Sequence, residues 1–74
     1  MTSRDEYERQ LTEAQQHVEE GLRHIETQRA VIERRERDGH DIEESNDLLA
    51  KLVDAQNLHE QNLQRVLSEL RKLP

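Results

Sequence analysis

The sequence predicts an all-α protein, an antiparallel two-helix hairpin of coiled-coil type that dimerises into a four-helix bundle. Three observations carry this. Two stripes of apolar residues recur at alternating steps of four and three, a glycine-centred break separates them, and the stripes meet in phase when the chain is folded back at that break. Composition points the same way. The 74 residues include two glycines, one proline and no cysteine, which argues against a turn-rich sheet and excludes disulfides, thiolate metal sites and a cysteine nucleophile.

The first helix is expected over residues 4–37. Tyr7, Leu11, Ala14, Val18, Gly21, Ile25, Gln28 and Ile32 form its stripe, with Leu11, Val18, Ile25 and Ile32 as a positions of a heptad written abcdefg. Ser3 followed by Glu6 offers a capping box at its start. Residues 38–41 read as a stop and a start. Gly39 suits the left-handed conformation just past a helix end, and Asp41 with Glu44 reads as a capping box for the next helix. Arg34, Arg35 and Arg37 face the negative end of the first helix dipole, and Asp41, Glu43 and Glu44 the positive end of the second.

The second helix is expected over residues 42–72, with Pro74 beyond it. Ile42, Leu49, Gln56, Leu63 and Leu70 take a positions; Ser45, Leu52, His59, Val66 and Leu73 take d positions. Pairing residues symmetrically about the Asp38-Gly39 bond sets Ile32 by Ser45, Gln28 by Leu49, Ile25 by Leu52, Gly21 by Gln56, Val18 by His59, Ala14 by Leu63, Leu11 by Val66 and Tyr7 by Leu70. Every pair joins an a position to a d position. Two unrelated frames would agree in this way only about one time in seven.

Disorder is the rival reading, because 38% of residues are charged and one is aromatic. The 17 Leu, Ile and Val residues argue against it through their placement on matched stripes. Apolar residues also flank the seam: Leu22 and Val31 in the first helix, Leu48, Val53, Ala55 and Leu67 in the second. A stripe of that width suits a bundle better than a lone pair of helices, so the expected partner is a second copy of the chain. The residues expected to carry self-association are Leu11, Val18, Ile25, Ile32, Leu49, Leu52, Leu63, Val66 and Leu70. Gly21, Gln28, Gln56 and His59 form a polar set within the seam that sets register.

Other chemistries find little support. A net charge of −6 disfavours general binding to nucleic acid and to anionic membranes. No segment approaches the roughly 20 apolar residues of a membrane span, and Met1-Thr2-Ser3-Arg4 opens no signal peptide, so a soluble cytoplasmic protein is expected. Ser3, Ser45 and Ser68 lack a nucleophile-elbow context, and there is no phosphate-cradling loop; no enzyme and no cofactor are expected. His17 and His24 lie about 10 Å apart along one helix, too far to share an ion. His59 approaches His17 across the hairpin, yet the Glu-x-x-His and His-Glu-x-x-His spacings are absent, so no metal site is assigned. Two alternatives are an Arg-bearing tip at Arg29, Arg34, Arg35 and Arg37, interrupted by Glu33 and Glu36, that meets RNA or an acidic partner, and a metal- or pH-responsive role through His17 and His59. An unidentified protein partner would use the seam residues themselves.

From His24 to Leu70 the chain carries His24-Ile25, Gln28, the turn Asp38-Gly39-His40-Asp41, Leu48-Leu49 and His59. In these it resembles a family of small uncharacterised helical-hairpin proteins of alphaproteobacteria. That resemblance implies the hairpin fold and brings no activity with it. By architecture alone the chain is also similar to the plasmid regulator Rop, a dimer of helical hairpins that binds paired RNA loops. The helix-one surface departs from that function, since Arg9, Arg23 and Arg29 are interleaved with Glu8, Glu13, Glu19, Glu20 and Glu26.

Overall fold

The computed structural model of the chain describes residues 2–74. Two helices, α1 (Ser3–Arg37) and α2 (Glu43–Lys72), pack against each other as a hairpin, and there is no strand among the described residues. The result is a rod measuring 58 × 14 × 14 Å.

Each helix end shows which local chemistry set it. α1 is capped by Thr2, whose hydroxyl accepts from the Asp5 N–H at 3.2 Å while the Asp5 carboxylate accepts from the Thr2 N–H at 3.3 Å. The expected Ser3–Glu6 box is therefore displaced by one residue. Threonine is a somewhat weaker cap than serine, but taking Thr2 adds a helical residue and places the short Asp5 carboxylate within reach of the cap. Three arginines occupy the last turn of α1. The helix then stops in a Schellman motif: the His40 N–H reaches the Arg35 carbonyl at 2.9 Å, and the Gly39 N–H reaches the Glu36 carbonyl at 3.1 Å. Gly39 takes the left-handed backbone this requires, with φ of 76°.

α2 begins one residue later than its sequence suggests. Ile42 holds the cap position without a side-chain bond, so the Asp41–Glu44 box does not form. Asp41 instead accepts from the Glu43 N–H at 3.0 Å, and its backbone carbonyl accepts from the Arg35 guanidinium at 3.2 Å. The physical reason is that Ile42, half-buried at the end of the seam, takes the cap and leaves the Asp41 carboxylate one residue upstream. At the open end of the hairpin the Arg4 guanidinium donates to the Pro74 carbonyl at 3.2 Å, tying the start of α1 to the end of the chain.

The buried positions are few: Ala14, Ile32 and Val66 among apolar residues, Gln28 and Gln56 among polar ones. All five lie on the predicted stripes. A Cβ at Gly39 would meet no atom within 4 Å, so its requirement for glycine is conformational alone. Replacing Gly39 with Ala is expected to cost about 1–2 kcal/mol through the left-handed backbone, with Asn costing less; chemical unfolding followed by circular dichroism measures both.

Candidate functional site

The seam between α1 and α2 is the one surface on which the sequence concentrates its apolar residues, and its two sides differ. Along the middle of the rod α1 approaches α2 through the d positions Ala14, Gly21 and Gln28, which are small or polar. Ala14 is 1% exposed and Gln28 is 9% exposed. The large a residues of α1, Leu11, Val18 and Ile25, are only half-buried, and Ile32 alone is covered. On α2, Val66 and Gln56 are buried, while Leu49, Leu52, Leu63 and Leu70 are half-buried. Most of the residues expected to carry self-association thus have one flank against the neighbouring helix and one in water.

Gly21 makes the closest approach possible. A Cβ on it would overlap the Gln56 side-chain oxygen and lie 2.8 Å from the Gln56 Cδ and 3.4 Å from the His59 Cδ2. The Gln56 carboxamide therefore occupies the space a side chain would fill. Its Nε2 donates to the Val18 carbonyl at 3.0 Å, while its Oε1 is buried and accepts no hydrogen bond. That oxygen sits over the Gly21 Cα, where a weak Cα–H contact is the available substitute. Two layers nearer the turn, Gln28 makes a matching tie, its Nε2 donating to the Ser45 carbonyl at 2.8 Å. Both glutamines thus bond to the backbone of the opposite helix. Tyr7 and Leu70 are half-buried near the open end.

The imidazoles of His17 and His59 meet across the hairpin with ring centroids 5.5 Å apart and planes tilted by 42°. His59 is half-buried and His17 exposed. Among the described residues no group of three or more His, Cys, Asp or Glu side chains is placed to hold a metal ion, so the pair has no third ligand.

His17 is a g position and His59 a d position, so their contact lies on the g side of the hairpin. The opposite side, where the e positions lie, carries an open groove lined by Val18, Leu63, Asn57, Glu60, Gln61 and Gln64. The seam residues on its floor, Val18 and Leu63, are visible in the heptad pattern. Its polar wall on α2 is not, because those residues read as plain surface until the tilt of the helices is known. Of the flanking residues, Leu22 and Leu48 are both 48% exposed, and Leu58, which the heptads place away from the seam, is 65% exposed. Val31, Val53, Ala55 and Leu67 are half-buried.

Charge on the outer faces does little structural work. Arg23 pairs with Glu19 at 4.0 Å and Lys72 with Glu69 at 3.4 Å, both within one helix and largely exposed, a setting worth at most about 0.5 kcal/mol each. No helix is long and apolar enough to cross a membrane. No protein-family model, curated protein or solved structure matches the chain.

The Gly21–Gln56 contact makes a prediction with a change of sign. Gly21→Ala should destabilise the protein despite gaining about 1 kcal/mol of helix propensity, because the methyl expels the Gln56 amide from its bond to Val18. In a Gln56→Ala background the same substitution should stabilise. Thermal unfolding of the four proteins tests this, and stabilisation by Gly21→Ala in both backgrounds would refute the steric account.

Proposed function

We propose that this protein is a non-enzymatic, self-associating helical hairpin, a homodimeric four-helix bundle that serves as a small interaction or regulatory module. The observation that carries the proposal is the surface the single chain leaves uncovered. A compact monomer of 8.8 kDa would expose about 4,800 Å² by the usual scaling of area with mass, whereas this chain exposes 5769 Å². The excess, about 1,000 Å², is close to the roughly 800 Å² each partner loses in a standard interface. Beside the seam, Leu22 and Leu48 remain 48% exposed.

The physical motive is strong. Each half-covered Leu, Ile or Val forgoes part of the roughly 1.5–3 kcal/mol that full burial contributes, and several such losses equal the stability of a small domain. A second copy presents the same stripe, so a two-fold arrangement closes the surface without leaving a further face to polymerise. The module would act through what the assembled bundle displays.

Sedimentation equilibrium should give twice the chain mass at micromolar concentration, with a melting temperature that rises with protein concentration. Leu52→Asp should dissociate or unfold the protein by leaving an unpaired charge in the seam. A folded monomer with a concentration-independent melt would sink the proposal.

A further inference from the structure

The groove has two symmetric ways to receive a second copy. With the two-fold axis along the rod, the two turns lie together and each layer of the seam meets its own duplicate. With the axis across the rod, the turns lie at opposite ends and each layer meets a different one. We infer that the second copy lies across the e side of the hairpin with its turn at the opposite end, the axis passing between the Val18–His59 and Gly21–Gln56 layers. This rests on the self-association proposed above.

Layer volumes decide between the two. If the turns were together, Gly21 and Gln56 would meet a second Gly21 and Gln56, leaving a thin, polar layer at mid-rod. The neighbouring Ile25–Leu52 layer would then hold four large branched side chains. Cores tolerate neither holes nor overpacking. With the turns apart, the heptad phase brings Gly21 and Gln56 level with the partner's Val18 and His59. Ile25 and Leu52 come level with the partner's Ala14 and Leu63. Val18 then faces the partner's Gly21 and Ile25 the partner's Ala14, while Leu11 faces the partner's Gln28 and Tyr7 the partner's Ile32, so the layers even out at mid-rod.

The structure explains why that pairing is open. α1 already spends its small residues, Ala14 and Gly21, on closeness to α2, which leaves Val18 lining the groove and Ile25 half-buried beside it in the seam. The flanks agree in charge at one place: Glu8 comes opposite the partner's Arg29, twice by symmetry. They agree less at Leu22, which comes opposite the partner's Gln15, and at Val53, opposite the partner's Glu60. The methylene stems of those polar residues can lie over the aliphatic ones while their heads stay in water. A fit in the core outweighs flank contacts of that kind.

The chain has no cysteine, so single-site spin labels report the arrangement without background. Full-length His40→Cys at the turn, Lys72→Cys at the open end and Glu20→Cys at mid-rod each place one label on an exposed position. Pulsed dipolar spectroscopy on each labelled protein should give an inter-label distance near the 58 Å rod length for His40→Cys and about 45 Å for Lys72→Cys, twice the distance of each site from the axis at 1.5 Å per residue. Glu20→Cys should give about 30 Å or less, the width of two helices and two label arms. Short distances at all three sites would place the turns together and overturn the arrangement while sparing the dimer. No dipolar coupling at any site, with a monomer mass, would overturn the arrangement and the self-association together.

Discussion

The close approach of α1 to α2 at Gly21 is the contact on which the rest of the structure depends. Because residue 21 has no side chain, the Gln56 carboxamide enters the gap and donates to the Val18 carbonyl. Ala14, one heptad earlier, keeps the same closeness along the open half of the rod. Two helices that meet through small residues must turn their large ones sideways. On one side of the hairpin His17 and His59 meet, and on the other Val18 and Leu63 floor an open groove.

The two buried glutamines add specificity. A leucine at either position would bury more apolar area, but it would fit several registers equally well. The Gln56 amide finds the Val18 carbonyl and the Gln28 amide finds the Ser45 carbonyl in one register only. Sliding α2 by a turn would strand two polar groups in the seam, where each unpaired group costs about 1–3 kcal/mol. The orphaned Gln56 Oε1 shows that the solution is a compromise even in place.

These features fit the self-association proposed above. Few residues are buried, polar groups serve register, and the outer faces carry interleaved charges with weak intrahelical pairs. A functional surface on such a rod would be a pattern displayed along it, and self-association would double and rigidify that pattern. The Arg-bearing tip and the facing histidines are the outer features that a bundle would present in symmetric copies.

The sequence by itself determined that there are two helices, where the chain turns and which residues share the seam. Heptad spacing is a property of order along the chain, and Gly39 marks the turn because only a residue without Cβ enters the left-handed region freely. The phase match between the stripes even paired Gly21 with Gln56, and the structure puts those two in contact. Local caps were less legible, since Thr2 and Ser3 offer the same hydroxyl one residue apart, and Ile42 takes the cap position for which Asp41 has the side chain. What the pattern did not contain is the His17–His59 contact on one side of the seam and the groove at Val18 and Leu63 on the other. A heptad pattern treats a and d alike, whereas the rotation of each helix about its own axis depends on side-chain volume at the contact, small on α1 and large on α2. That rotation is what leaves Leu11, Val18 and Ile25 half in water and gives the groove its position.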